Sequence, residues 1–387
     1  MVAIPINPEV LVWARTQRGL SPEDAAGRLK MEVGELLELE GGARPPTLGV
    51  LERIASGYRL PLVTLLMPLP LPDVDRAPLR DFRAFEGHPA RRLAPETVLA
   101  IEEAYTDLEL MSDLKEAAPR LFGVPLVPVY NLSDDPLSVA ASERERLAVT
   151  PAEQFAWGGD REAFLRWREL AEAQGVFVYQ MKLGGDDTRG FAIWDDREIP
   201  IAVIDAAESG YPAKIFTLWH EYAHLLLRMG GISNQNRNNS VERFCNAFTA
   251  HFLMPMSEFR REASLMAPRA GAWEDSHVTR LANRFRVSKR AVAIHLQAAR
   301  LAPEGFYGRM SALWKSRTLP SSKGRATHPE RIANRLGGRH VSLVMDALRQ
   351  GILNKIDARE YLDIRPDHFE VVEAEVRHRR LNYGRPG

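Results

Sequence analysis

Two histidines four residues apart give the strongest chemical signal in this chain: His220 and His224 enclose Glu221 in the sequence His-Glu-Tyr-Ala-His. Positions four apart share one face of a helix, so both imidazoles can reach the same ion. Glu221 lies about 100° round the helix from His220, where it can contact a metal-bound water without binding the metal. The pattern predicts two zinc ligands, His220 and His224, with Glu221 as the general base of a hydrolytic reaction.

The alternative is an amphipathic helix that carries two histidines by chance. Apolar residues precede the motif from Phe216 to Trp219 and follow it from Leu225 to Leu227, apart from Thr217. Such a helix should be buried, and buried histidine and glutamate side chains need polar partners. The sequence context therefore favours the metal site.

A catalytic zinc usually has three protein ligands and one water, so a third ligand is required. Glu242 is the best candidate because it lies on the next predicted helix, from about Ser240 to Leu253. Asn246, one helical turn later, could orient a ligand through a hydrogen bond. The residues alone leave the role of Glu242 open, since a carboxylate in the first turn of a helix also complements the helix dipole.

Five further residues near the motif are candidates for other roles. Cys245 could be an extra ligand or redox switch, although a small buried residue is the favoured interpretation. His251 is expected on the exposed side of its helix rather than at the metal. A group that stabilises the oxyanion could be Tyr211, Tyr222 or His277, and the sequence does not distinguish between them.

The elements that must position these residues include a small sheet just before the metal helix. Three β-rich runs, Val176–Met181, Gly190–Trp194 and Ile199–Ile204, predict short antiparallel strands. If Gly190–Trp194 is an exposed edge, an extended peptide could pair with it and lie across the zinc. That arrangement favours a peptide bond over a small ester as substrate. The preceding segment, Gly123–Pro151, is predicted to be irregular.

The N-terminal region is predicted to be a compact helical unit. Ser21-Pro22 has the residues of a helix N-cap and first position, and a turn at Leu29–Met31 leads to a third helix over Val33–Leu39. This order is typical of a helix-turn-helix. The third helix and its flanks carry four glutamates and no lysine or arginine, which would repel phosphates. We therefore expect this unit to bind protein, or the rest of the chain, rather than DNA; the four are Glu32, Glu35, Glu38 and Glu40.

A second helix-turn-helix-like segment is predicted over His277–Arg300, with a turn at Arg286-Val287 and Ser288 as the next N-cap. Basic residues cluster around this turn and are candidates for contact with nucleic acid. A packing module with a solvated basic face is an equally good interpretation. The candidates are Arg280, Arg284, Arg286, Lys289 and Arg290.

Composition limits the classes of protein to which the chain can belong. The 387 residues include 51 basic and 51 acidic side chains, so no bulk charge recruits nucleic acid or an anionic membrane. A single cysteine excludes internal disulfides and suits a reducing compartment. The N-terminus lacks the pattern of a signal peptide, and no uncharged run is long enough to cross a bilayer. We expect a cytoplasmic protein without a membrane partner.

The predicted fold class is α+β and mostly helical. It combines an all-α helix-turn-helix domain, a zincin-like core with a small antiparallel sheet and the His-Glu-x-x-His helix, and a helical C-terminal region. The predicted divisions are a helix-turn-helix domain at 1–68, a proline-rich linker at 69–92, the core at 93–265, a helix-turn-helix-like segment at 275–318 and a helical extension at 319–387.

The motif and its surroundings resemble the ImmA/IrrE family of metallopeptidases. Phe216–Leu226, Glu242–Phe248 and Leu253–Pro255 are similar to the family patterns F-T-x-A-H-E-x-x-H, E-x-x-A-N-x-F-A and L-L-M-P. The N-terminal unit resembles the XRE-type helix-turn-helix that precedes many such domains. The chain departs from the family pattern at Trp219 and Cys245, where alanine is common, and at Lys214, where arginine is frequent; Trp219 beside His220 could alter the pocket.

The resemblance implies that His220, His224 and Glu242 bind one Zn²⁺ per chain and that Glu221 is the general base. It further implies a protein substrate, a helix-turn-helix repressor or an antitoxin-type regulator. The alternative is a non-proteolytic regulator that binds DNA or protein and has a structural or vestigial metal site. Glu221 argues against that alternative, because a structural site needs no general base.

Overall fold

The computed structural model describes most of the chain in two compact units. The first unit takes in Met1–Pro78 and Arg91–Glu102, and the second takes in Leu79–Ala90 and Glu103–Gly387. The described residues are 3–58, 60–70, 80–81, 93–123, 125–184, 188–208, 210–233, 240–267, 273–315 and 326–383.

The first unit contains the predicted helix-turn-helix. The Ser21 side chain caps the second helix by accepting a hydrogen bond from the backbone N–H of Asp24 at 3.1 Å, and Pro22 is its first residue, as predicted. Lys30 has a left-handed backbone (φ 53°), which turns the chain sharply into the third helix. Leu29, Leu36 and other apolar side chains form a separate small core. The helices are α1 (Pro8–Gln17), α2 (Pro22–Leu29), α3 (Val33–Glu40), α4 (Leu48–Tyr58) and α5 (Leu62–Leu65).

The remaining helices follow in chain order. They are α6 (Pro95–Ala117), α7 (Pro119–Phe122), α8 (Pro136–Arg146), α9 (Pro151–Ala156), α10 (Asp160–Ala173), α11 (Tyr211–Leu226), α12 (Ser240–Leu253), α13 (Met256–Met266), α14 (Asp275–Phe285), α15 (Lys289–Ala298), α16 (Phe306–Lys315), α17 (His328–Arg349), α18 (Lys355–Leu362) and α19 (Phe369–Tyr383), with a 3₁₀ helix at Pro366–His368. The prediction of an irregular segment over 123–151 was wrong, because α8 lies within it.

One sheet of five strands is found among the described residues. Its order is β1-β5-β3-β4-β2. The pairs β3–β4 and β3–β5 are antiparallel, whereas β2–β4 and β1–β5 are parallel. The strands are β1 (Arg80–Asp81), β2 (Phe177–Met181), β3 (Gly190–Ile193), β4 (Ile201–Asp205) and β5 (Gly231–Ser233).

The mostly helical α+β class is confirmed, but the predicted antiparallel arrangement of the sheet was wrong. The sheet is mixed rather than antiparallel, because β2 pairs with β4 instead of its sequence neighbour β3. All five residues of β2 are buried, which is typical of a parallel strand covered on both faces. The condition for peptide pairing at Gly190–Trp194 is not met, because β3 has β4 on one side and β5 on the other.

Helix α11 packs against β3 and β4 on one side and against α10 and α12 on the others. The same hydrophobic core continues through α14, α15 and α16. Helix α17 packs on β2, and α19 packs on α17. No helix among the described residues has both the length and the hydropathy needed to cross a bilayer.

The predicted division into five segments stays a prediction. Most of the predicted linker, 69–92, lies outside the described residues, although Arg80–Asp81 form β1. Residues 316–325, where the predicted C-terminal extension begins, also lie outside the described part of the chain.

Candidate metal centre

Helix α11 is a core helix, and this burial places the motif away from bulk water. Pro212 lies in its first turn, where proline is tolerated. Trp219 lies in an aromatic cluster, with ring centroids 5.2 Å from Trp167 and 4.1 Å from Phe252. Trp219 is therefore a core residue that fixes α11 against its neighbours.

Three polar side chains converge inside the unit: His220, His224 and Glu242. His220 Nε2 lies 3.2 Å from Glu242 Oε2, and His224 Nε2 lies 3.2 Å from Glu242 Oε1. The two histidine Nε2 atoms are 3.3 Å apart. All three residues are at most 1% exposed. The carboxylate of α12 thus lies directly over the histidine pair of α11.

The donor set and its spacing fit a small divalent cation. A tetrahedral zinc site with bonds of about 2.0–2.1 Å has ligand atoms about 3.3 Å apart along each edge. The two histidine nitrogens are 3.3 Å apart, close to this edge length, and each lies 3.2 Å from a different oxygen of the Glu242 carboxylate. Two imidazoles and one carboxylate are a common ligand set for a catalytic metal with one open position. This group could therefore hold a metal ion.

The electrostatics of the group favour a bound cation. Burial alone would raise the pKa of Glu242, but hydrogen bonds with His220 and His224 outweigh burial and hold it at about 2. Burial lowers the pKa of His224. Burial also opposes the charged form of His220, yet the nearby carboxylates of Glu242 and Glu221 raise its pKa. The carboxylate is thus charged at neutral pH, and His224 keeps a neutral imidazole able to bind a metal.

Glu221 is fully buried on α11 and lies against strand β3. A Cβ atom at Gly190 would come within 2.7 Å of Glu221 Oε1 and 2.7 Å of the Val203 carbonyl oxygen. Only glycine leaves room for the carboxylate at this point. Gly190 was not among the predicted site residues, although a glycine inside a strand indicates close approach by another group.

The neighbours of Glu242 on α12 have different surroundings. Asn246 is partly buried beside His220 and contributes to its raised pKa. Cys245 is fully buried and lies outside the three-residue group, as the interpretation as a small core residue predicts. Burial raises its pKa well above the ordinary value, which makes it an unreactive thiol. His251 is partly buried, with its ring 5.1 Å from that of His295.

Two of the three candidates for oxyanion stabilisation are engaged elsewhere. Tyr222 Oη donates to Glu143 Oε2 at 3.0 Å inside the core. His277 Nδ1 accepts from the backbone N–H of Glu274 and completes a capping box on α14. Tyr211 is the first residue of α11 and packs against another aromatic ring. The oxyanion group therefore stays unassigned.

The basic cluster on α14 and α15 is largely occupied by contacts within the second unit. Arg284 Nε lies 3.0 Å from Glu262 Oε2, and Lys289 Nζ lies 2.8 Å from Asp275 Oδ1. Arg286 donates to a backbone carbonyl at 2.8 Å. Arg290 lies over an aromatic ring, and Arg280 is exposed. These contacts favour the packing interpretation over a nucleic-acid surface.

Comparison with known families agrees with this geometry. Residues 171–297 match a peptidase family model described as the IrrE N-terminal-like domain. The match covers about a third of the chain. The matched residues take in β2 to β5, α11 to α14 and all of α15 except Ala298, and with them all three residues of the candidate metal group. Residues 10–66 match a helix-turn-helix domain. No curated protein matches the chain.

The match to the IrrE N-terminal-like domain also takes in the helix-turn-helix-like segment α14–α15, apart from Ala298. That segment shares the hydrophobic core of α11 and α12. By both packing and family match, it therefore belongs with the helices that carry the candidate metal group.

Proposed function

We propose that the chain is a cytoplasmic zinc-dependent endopeptidase with a transcriptional repressor or antitoxin-type regulator as substrate. The observation that carries the proposal is the buried group of His220, His224 and Glu242, with Glu221 on the helix of the histidines. The two histidine nitrogens lie 3.3 Å apart, and each is 3.2 Å from one oxygen of the Glu242 carboxylate. The match to an IrrE N-terminal-like domain behind a helix-turn-helix domain supports it. The single cysteine suits a reducing compartment.

In the proposed mechanism, His220, His224 and Glu242 would hold one Zn²⁺ in the core. When bound, the ion would supply Lewis-acid chemistry, polarising a carbonyl and lowering the pKa of water. Glu221 takes the proton of the attacking water and delivers it to the leaving amine. Gly190 gives the Glu221 carboxylate its space, and Asn246 orients His220.

We further propose that the N-terminal helix-turn-helix unit docks a protein rather than reading DNA. Helix α3 exposes Leu37 and Glu38 and has no basic side chain. The nearby Arg44 is directed to Glu35, with 3.5 Å between Nη1 and Oε1. An acidic and partly apolar face suits a basic protein partner better than a phosphate backbone.

Glu221→Gln tests the peptidase directly. The amide keeps the size of the side chain but cannot accept a proton, so hydrolysis should fall by at least about a hundredfold while zinc binding persists. Wild type and variant would be expressed in the same host, and new protein N-termini would be mapped by mass spectrometry. Peptide ends present with wild type and absent with Glu221→Gln would identify the substrate.

The non-proteolytic regulator predicts a different result. Glu221→Gln would then leave the biological effect unchanged, because binding of DNA or protein does not require a general base. Identical sets of protein N-termini with wild type and variant, both loaded with zinc, would reject the peptidase.

A further inference from the structure

Helix α8 connects the two helices that carry the proposed zinc ligands. It packs along α12, which carries Glu242. Through adjacent residues, Glu143 and Arg144, it also makes hydrogen bonds to both ligand helices. Those two residues are ionisable and buried, with exposures of 0% and 6%.

Glu143 fastens α8 to α11 through Tyr222. Tyr222 Oη donates to Glu143 Oε2 at 3.0 Å, and Arg146 donates to Tyr222 Oη at 2.8 Å. Arg146 also donates to Glu143 Oε2 at 2.7 Å, and Tyr130 Oη donates to Glu143 Oε1 at 3.2 Å. Tyr222 lies two residues from each proposed histidine ligand, so this network fixes the position of α11, which carries both ligands.

Arg144 fastens α8 to the end of α12. Its guanidinium donates to the Phe252 carbonyl oxygen at 2.7 Å and to Gln154 Oε1 at 3.0 Å. Gln154 in turn donates to the Leu253 carbonyl oxygen at 3.0 Å. The last carbonyls of α12 thus receive a cation and an amide, which complements the negative end of the helix dipole.

Joining helices through buried ionic groups has a high desolvation cost. Well-packed apolar residues of similar volume give equal or greater stability, because a charge loses its hydration when it is buried. Directional hydrogen bonds, however, fix the distance and rotation of a helix more narrowly than apolar packing does. Their use on both ligand helices indicates a geometric demand that stability alone does not explain.

We propose that Glu143 and Arg144 form a brace that fixes α11 and α12 in the arrangement required for metal binding. They are positioning residues for the proposed zinc centre, and the inference rests on the proposed function. Neither residue belongs to the three-residue metal group. Without the brace, the histidine pair and the carboxylate lose their fixed separation.

Tyr222→Phe and Arg144→Lys test the two halves of the brace. The matched control is Tyr179→Phe on β2, which also removes one buried tyrosine hydroxyl. That hydroxyl is hydrogen-bonded to His340 Nδ1 at 2.9 Å. The measurements are the zinc Kd by chelator competition, the visible spectrum of the Co²⁺-substituted protein and the Tm of the metal-free protein. Both brace variants should bind zinc about tenfold more weakly and show an altered Co²⁺ spectrum.

The control separates positioning from general stability. Tyr179→Phe should lower the Tm of the metal-free protein about as much as the brace variants do. Its zinc Kd and Co²⁺ spectrum should nevertheless match those of wild type. Brace variants with the affinity and spectrum of Tyr179→Phe would overturn the brace alone. Wild-type protein that takes up no zinc would overturn the proposed function as well. If Arg144→Lys does not fold, the conservative Tyr222→Phe decides the question.

Discussion

The two helix-turn-helix segments of the chain share a backbone design but use their side chains differently. In α2–α3 and in α14–α15, the first helix ends at a residue with a left-handed backbone, Lys30 (φ 53°) and Arg286 (φ 56°). Helix α3 then exposes Glu38 and Leu37, which is 49% exposed, whereas Glu40 is buried in an ion pair with Arg15. Segment α14–α15 instead buries Leu281 and other apolar residues in the main core and pairs much of its positive charge internally.

The turn alone therefore does not define a DNA-binding unit. The left-handed residue sets the angle between the helices, whereas the second helix sets the partner through what it exposes. In α14–α15 the apolar side of the helices packs into the core that also contains α11 and α12. In α3 the exposed face is free of positive charge.

Substitutions in the two segments should differ most in their effect on the free energy of unfolding. Phe285→Ala in α14 should lower the free energy of unfolding of the second unit by about 3–5 kcal/mol, because the ring is fully buried. Leu37→Ala in α3 should change the stability of the first unit by less than about 0.5 kcal/mol. Both changes in the free energy of unfolding can be measured by urea denaturation, with hydrogen exchange reporting on the unfolding of each unit separately. A small effect of Phe285→Ala would contradict the assignment of α14–α15 to the core.

A second prediction uses acid to separate the segments. Burial lowers the pKa of His295 on α15 to about 3, so the unfolded chain takes up this proton first as the pH falls. The contribution of neutral His295 to the free energy of unfolding is fully present above about pH 6.5 and is lost as the pH falls toward 3. Over this range the free energy of unfolding decreases by at most about 1.4 kcal/mol per pH unit. Residues 3–70 contain no histidine.

Hydrogen exchange at pH 7 and pH 5, corrected for the intrinsic rates, measures this difference. Protection of α15 should fall at pH 5 in wild type and fall less in His295→Gln. Equal acid sensitivity of α3 and α15 would show that the histidine is not the cause.

The smallest expected effect concerns nucleic acid. Wild-type protein should bind random duplex DNA weakly at low salt, and Lys289→Ala should leave that binding within about twofold, because Lys289 is paired with Asp275. Glu38→Lys, which places a cation on the exposed face of α3, should strengthen binding more than Lys289→Ala weakens it. Fluorescence anisotropy at about 50 mM salt is the measurement. A large loss in Lys289→Ala would restore α14–α15 as a DNA contact.

Local patterns predicted much of the fold and of the candidate site. The four-residue spacing of His220 and His224 and the apolar flanks were sufficient to predict a buried helix with paired imidazoles. The N-cap of α15 was predictable as well: Ser288 accepts from the backbone N–H of Ala291 at 3.1 Å. These features depend only on residues close together in the sequence.

Long-range features were not predictable in the same way. The direction of β2 and the interior position of β3 depend on which strands pair, and strand periodicity contains no information about that choice. Helix α8 was not predicted, because two of its buried residues, Glu143 and Arg144, are charged. They interrupt the helical pattern of apolar residues by which a buried helix face is recognised. The signal that could have found it is Asp135-Pro136, an N-cap followed by proline.

Metal content by mass spectrometry on protein purified without chelators tests the central claim most directly. Wild type, His224→Ala and Glu242→Ala would be compared, with His251→Ala as the control histidine on α12 outside the group. We expect about one zinc per chain in wild type and His251→Ala, and loss of zinc in the other two. Wild-type protein that stays metal-free after zinc is added, or Glu242→Ala that retains its zinc, would contradict it.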